Sequence, residues 1–199
     1  MNKFLLWIAS LITLTALILP RFAQAESAEW TIDTSHSRVG FSVSHMMVST
    51  VSGRFKQFGG KVELDEANPT KSQVEITIKT ESIDTDDAKR DEHLRSADFF
   101  DAKKYPTLTF KSTKITKAGA KKYRITGDLT IHGVTKSETF DAVLSDAVPN
   151  PWGKLVRGVK LTGKIKRSDY GLKWNKALDK GGVVVGDEVT LDVMLELNK

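Results

Sequence analysis

The 199-residue chain contains no cysteine. Thiol catalysis, cysteine metal sites and disulfide staples are therefore excluded, and the fold must be held by its core alone. Its four histidines, His36, His45, His93 and His132, show no metal-ligand spacing. There is no Gly-x-Ser-x-Gly elbow, no His-Glu-x-x-His and no carboxylate cluster at EF-hand spacing. Basic residues are scattered and build no aromatic-interleaved block. The net charge of +5 is mild, compatible with anionic head groups or a transient membrane contact but far from a nucleic-acid-binding signature. Beyond the first 25 residues no apolar run is long enough to span a bilayer. No βαβ rhythm is present.

The N-terminus reads as a secretory signal peptide over residues 1–25. Lys3 supplies a basic n-region, Phe4 to Leu19 an apolar run, Pro20 a stop, and Ala23-Gln24-Ala25 a small-residue cleavage site ending at Ala25. The run falls short of the ~20 residues that a comfortable membrane span requires. An exported protein is the expectation, with a bacterial periplasm as the simplest destination. Residues 26–199 are of a length that suits one domain.

Most of that domain alternates with period two. Trp30 to Ile32 reads as a short opening strand. Val39, Phe41, Val43 and His45 share one face of the next. Gly53 to Leu64 reads as a strand with a bulge or bend, because Phe58 is out of step with Phe55 beside Gly59-Gly60. Val74, Ile76 and Ile78 follow. Leu108 and Phe110 begin another strand, and Tyr123, Ile125, Leu129 and Ile131 share a face up to a tight turn at His132-Gly133. Val134, Phe140, Ala142 and Leu144 share a parity. Leu155, Val159, Leu161 and Ile165 do so with Arg157 and Arg167, and Val183 to Leu197 form the last inward set. Two arginines on an apolar face must lie at strand ends near water or carboxylates, or serve a ligand; Arg167 and Asp169 are expected to pair. The whole predicts an all-β protein, an antiparallel barrel of about eight strands.

The one helical passage lies between Glu81 and Phe110. Asp84 is placed to cap it and Asp87 to occupy the capping-box position. Asp86/Arg90 and Asp91/Arg95 are spaced for i,i+4 pairs. Asp98 is placed to cap a second short turn before Pro106. This is a single helical crossover at one end of the sheet. Either it is a plain solvated element, or its Arg90 and His93 face a cavity mouth.

These residues also carry a resemblance. Ser37-x-Val39-x-Phe41-x-Val43-x-His45 is followed by Val51-x-Gly53-x-Phe55-x-x-Phe58-x-Gly60 and Ser82-Ile83-Asp84-Thr85. Next come Arg90-Asp91-x-His93-Leu94, Asp98-Phe99-Phe100-Asp101 and Tyr105-Pro106-Thr107. Gly127 to Thr135 and Arg167-Ser168-Asp169-Tyr170-Gly171-Leu172 complete the set, with Tyr170 where the family often has Phe. Nearly all of residues 26–199 resembles the YceI-like family. The resemblance implies an exported, lipocalin-like barrel that holds a polyisoprenoid or similar long lipid, with quinone, polyprenyl phosphate and fatty amide as head-group alternatives. It implies frequent homodimers and no catalytic activity, and it calls for no cofactor or metal.

On this reading the lipid tail lies against Phe41, Phe55, Phe58, Ile76, Leu108, Phe110, Tyr123, Ile125, Phe140 and Leu161. His45, Arg90 and His93 form the polar end for the head group, since a guanidinium offers a fork to phosphate. Periodicity does not separate a hollow barrel from a filled one, so a structural barrel with a packed core stays open. So does an enzyme acting on a lipid, with His93 as base and Asp91 as its orienter.

Overall fold

The computed structural model describes residues 27–179 and 181–199; the leader and its cleavage at Ala25 lie outside them. The elements are β1 (Ala28–His45), β2 (Ser49–Phe55), β3 (Phe58–Leu64), β4 (Gln73–Lys79), β5 (Ile83–Asp84), α1 (Ala88–Arg95), β6 (Thr107–Gly119), β7 (Lys122–Ile131), β8 (Val134–Leu144), β9 (Val148–Pro149), β10 (Leu155–Lys166) and β11 (Val185–Asn198). Short 3-10 turns occupy Pro69–Lys71, Thr80–Ser82 and Arg167–Tyr170. Going round, β1, β3, β4, β6, β7, β8, β10 and β11 are paired antiparallel, and β11 returns to β1. This is a closed barrel of eight strands, which removes sheet edges.

Alternation places the inward set as the period of two demands. Val39, Leu108, Phe110, Ile125, Leu129, Ile131, Phe140 and Ile165 are buried in one cluster near α1. Trp30, Ile32, Val62, Leu64, Leu195 and Leu197 form a second cluster at the far end. Burying each such side chain is worth about 1.5–3 kcal/mol, so the barrel needs no cross-links.

Three strand boundaries differ from expectation. The opening strand does not stop at Ile32, because β1 runs on to His45 through a bulge between Asp33 and Arg38. Gly53 to Leu64 is not one strand. β3 pairs with the first residues of β1 and β2 with its last seven, with a break at Lys56 and Gln57. The out-of-step Phe58 marks that break. Val134 has the inward parity, but at the rim it stays 36% exposed. The tight turn is present: His132 and Gly133 have φ of 52° and 75°, the paired left-handed conformation of a two-residue hairpin. A Cβ on Gly133 would stand 2.5 Å from the Tyr105 ring.

The helix begins later than expected. Ile83 and Asp84 pair with Phe55 and Arg54 as β5, so Asp84 is committed to the sheet and accepts from Lys56 at 2.7 Å. Asp87 is the N-cap, accepting from the Lys89 and Arg90 N–H groups at 3.1 and 3.0 Å. Neither i,i+4 pair forms. Arg90 turns to Thr85, and Arg95 donates to the Glu81 and Ile83 carbonyls. Ser96, not Asp98, caps the following turn, its hydroxyl accepting from the Asp98 N–H.

Candidate functional site

The barrel is hollow. A cavity of about 140 Å³ lies at its centre, lined wholly by apolar side chains and the Gly40 backbone. Phe41, Phe55, Ile76, Leu108, Phe110, Ile125, Phe140 and Leu161 all line it, as the sequence reading expects. Two expected residues do not. Phe58 packs against both core clusters, and Tyr123 lines a separate 60 Å³ cavity at the far end. Val39, Leu129, Leu191 and Val193, inward by parity but not among the expected tail contacts, also belong to the wall. The space exists because phenyl rings lie along the wall over glycines. A Cβ on Gly53 would stand 2.5 Å from Phe41 Cζ, and one on Gly127 2.6 Å from Phe110 Cζ; Gly163 seats Phe140 likewise. A ring over a glycine fills the place of the missing side chain and leaves the axis open.

The central cavity is one of a series. It shares Phe41, Phe55 and Leu191 with a 110 Å³ cavity below α1, which in turn shares Phe41, Val43 and Phe99 with a 190 Å³ cavity at the mouth. At the other end it shares Val62, Val74 and Leu197 with the 60 Å³ cavity. At about 3.3 Å per residue and a strand tilt near 40°, the wall from Val185 to Leu197 spans about 30 Å of barrel axis.

The mouth brings His45, Arg90 and His93 together on one cavity, with Thr85, Leu94, Phe99 and Trp174. These come from β1, α1 and the loops, none close to all the others in sequence. Arg90 is pinned by Nε–H to Thr85 Oγ1 at 2.8 Å and by Nη2 to the Thr85 carbonyl at 2.7 Å. Thr85 is held in turn: its N–H and hydroxyl both donate to buried Asp91 Oδ1, at 2.9 and 2.5 Å. Arg90 Nη1 has no protein acceptor among the described residues, and neither has the His45 ring. His93 sits edge-on to Phe99 and Trp174, 5.0 Å from each, with Nε2 2.9 Å from Asp98 Oδ2. Its carboxylate partner is thus Asp98, and Asp91 serves Thr85, so the expected His93/Asp91 dyad is not assembled. Trp174 is a mouth residue that sequence reasoning missed; it lies just beyond the last family motif, in a loop without strand periodicity.

Arg167 organises the loop that carries Trp174. It does not pair with Asp169, which instead meets Lys136 at 3.3 Å. Its guanidinium donates to the carbonyls of Gly186 (2.8 Å), Leu172 (2.5 Å), Trp174 (2.9 Å) and Val185 (3.3 Å). Burial pushes its pKa down, opposed by nearby Asp187, yet a guanidinium keeps its proton. Tyr170 is fully buried. Burial first, and then its hydrogen bond to Glu138 at 2.8 Å, raise its phenol well above the ordinary value. Both groups are structural. Arg157, the other inward arginine, lies over the Trp30 ring at 5.2 Å in the far end.

Outside the barrel, Asp33, His36 and Glu196 bring three ligand-type atoms within 4.8 Å of one another. Chain spacing hid this, since Glu196 arrives from the last strand. His36 Nδ1 is 3.0 Å from Asp33 Oδ2. That bond first, and then the negative charge of Asp33, raise the imidazole pKa.

A closed antiparallel barrel with an apolar bore opening at a partly polar mouth is a lipocalin-like architecture. The family model for the YceI-like domain matches residues 30–197, and the chain belongs to that family. It is 44% identical to protein YceI of Escherichia coli O157:H7 over 151 residues, 75% of this chain and 78% of that one. Burkholderia cenocepacia BcnA has a similar structure, with TM-score 0.74 and 29% identity over 83% of this chain and 98% of its own. A polyisoprenoid binding domain from Saccharophagus degradans, implicated in plant cell wall breakdown, shares the fold at TM-score 0.58 and 18% identity, covering 84% of this chain and 97% of that one.

Proposed function

We propose that this protein is exported to the periplasm, where it sequesters or carries a long-chain isoprenoid or comparable lipid in the barrel without transforming it. The observation that supports this best is the apolar cavity series, which ends at a mouth holding cationic and imidazole groups. Each buried methylene contributes about 0.8 kcal/mol, so a chain filling roughly 30 Å of bore supplies most of the affinity before ordering costs. Phe41, Phe55, Ile76, Leu108, Phe110, Ile125, Phe140 and Leu161 contact the tail, with Phe58 supporting and Tyr123 meeting its far end. Arg90 Nη1, His45 and His93 receive the head group, and a phosphate or a quinone carbonyl is the chemistry they suit. The fold shared with the polyisoprenoid binding domain of Saccharophagus degradans agrees with this reading.

Solvent extraction of the purified protein followed by mass spectrometry tests it. The expected result is one defined long-chain lipid, depleted in Arg90→Ala and His93→Ala variants that melt normally. Absence of any lipid from the parent would overturn it. Conversion of an added lipid would favour an enzyme.

A further inference from the structure

The turn joining β1 to β2 presents Met46, Met47 and Val48 at the barrel mouth, 44%, 70% and 85% exposed. Both methionines are in the left-handed region, with φ of 51° and 61°. The loop has three residues, and Val48 N–H donates to the His45 carbonyl at 3.2 Å, so Met46 and Met47 are the central pair of the tight turn. A turn with both central residues at positive φ is met most comfortably by Asn-Gly, because most side chains are strained there. The turn's backbone conformation therefore gains nothing from methionine at either position, and water gains nothing from two exposed thioethers. A strained, apolar choice at an exposed tip points to function. Methionine is also the side chain that conforms best to an irregular apolar partner.

The tip is not isolated. Met46 N–H donates to the Val184 carbonyl at 2.8 Å, and Met47 Sδ lies against Gly182. Val183, 39% exposed, extends the apolar crest. Val184 N–H donates to the Lys176 carbonyl at 3.0 Å, so exposed Lys176 sits across the same hairpin-like loop, and exposed Lys173 precedes mouth residue Trp174. Val184 itself lines the mouth cavity with His45 and Val51, which flank the tip. The crest thus forms one side of the rim through which a tail would enter.

We propose that this crest docks the barrel mouth onto an anionic lipid bilayer, with Met46, Met47 and Val48 entering the interface and Lys173 and Lys176 meeting the head groups. This rests on the lipid-binding reading above and adds where the lipid is exchanged. A bilayer suits the crest better than a protein groove, because the crest is convex and tip-like, borders lysines, and adjoins the opening of a bore for a molecule that itself resides in membranes.

The test compares the leaderless parent with a Met46→Asn/Met47→Gly double variant. That pair is the preferred sequence for this turn, so the variant folds and melts at or above the parent. Vesicles of phosphatidylethanolamine and phosphatidylglycerol in a 3:1 ratio are the probe, with phosphatidylcholine vesicles alongside. The expected result is sedimentation of the parent with the anionic vesicles, weakened by salt, and at least about tenfold less with the variant. Equal sedimentation of both proteins, or none of the parent, overturns the proposal. So does a parent that is dimeric and a variant that is monomeric, without vesicle binding, which would assign the crest to a second copy. Extracted lipid measured on both proteins keeps the two readings apart: a variant that retains its lipid but not its vesicle binding supports docking and leaves the bore intact.

Discussion

Arg167→Met should be among the most damaging single changes in this protein, although the residue touches no carboxylate. The long apolar side chain keeps the stem packing of Arg167, which is 7% exposed, and removes the guanidinium. Four backbone carbonyls then lose a donor, though that of Val185 keeps the Asn175 side-chain amide at 2.8 Å. Hydrogen bonds from a charged donor are worth about 1.5–3 kcal/mol each, and a buried acceptor left unmade costs about 1–3 kcal/mol. Simple addition overshoots. Trp174, Val185 and Gly186 are half-buried, so water replaces some of the lost donors, and the variant escapes the cost of burying a cation. A net loss of about 3–5 kcal/mol remains, the size seen when a buried network is broken. At a urea slope near 2 kcal/mol/M, the midpoint should fall by about 1.5–2.5 M. Arg167→Lys should lose about half of that, since an ammonium donates from one point and cannot span carbonyls as a planar fork does. Equilibrium urea unfolding, followed by fluorescence and by far-UV circular dichroism, gives both midpoints. A midpoint for Arg167→Met within about 0.3 M of the parent would refute the reasoning.

Val159 lines both the central and the far-end cavities. Val159→Phe should therefore shorten the longest chain retained, read by mass spectrometry of the extracted lipid, with unchanged length counting against a continuous bore. Asp91→Ala should cost about 2–3 kcal/mol, because Thr85 loses its acceptor inside the mouth; Asp91→Asn should cost less, as measured by the same urea unfolding. The Asp87 carboxyl is held below the usual carboxylate range, chiefly by the Arg90 backbone N–H. Its contribution to folding is present above about pH 3.9 and is lost as pH falls through the lower folded value. The Lys89 and Arg90 amides should then exchange faster relative to those of β7, and unchanged relative protection would exclude it. His36 has the opposite sign. Its raised pKa gives stability that is complete below about pH 6.5 and is lost as pH rises through the folded value. An NMR titration should place that value above 6.5, and a value at or below it would break the link to Asp33.

Strand parity was legible in the sequence because side chains alternate whatever the neighbours are, so Ile125, Phe140 and Leu161 could be pointed inward from the chain alone. The start of α1 was not. Asp84 and Asp87 are both good caps, and what decides between them is the pairing of Ile83 and Asp84 with β2, a contact across some thirty residues. The role of Arg167 was hidden for a different reason. Its acceptors are main-chain carbonyls, which every residue offers, so the nearby Asp169 looked like the natural partner. Hollowness was hidden because it depends on rings and glycines that meet only after folding, Phe41 over Gly53 and Phe140 over Gly163. The grouping of His45, Arg90 and His93 was legible through the family motifs, but Trp174 was not, because nothing in its loop repeats.

The two ends of the barrel are built differently, and the difference restricts how a lipid enters. At the far end Trp30 is fully buried, and the cations of Arg157 and Lys199 lie over its ring at 5.2 and 5.8 Å. Lys199 also exchanges backbone hydrogen bonds with Leu155, at 2.9 and 3.1 Å. Opening that end would expose an indole and break strand ladders, including the β1–β11 pairing that closes the wall. At the mouth the cover consists of an eight-residue helix and, among the described residues, loop residues 172–179 and 181–184. These are held by local caps, by Arg95 on two carbonyls and by Arg167 on four. Displacing the helix and loop breaks no barrel ladder. The element of lowest opening cost thus coincides with the polar cavity and the methionine crest. A tail entering there passes His45, Arg90 and His93 before it reaches the phenylalanine-lined bore, and its head group stays with them.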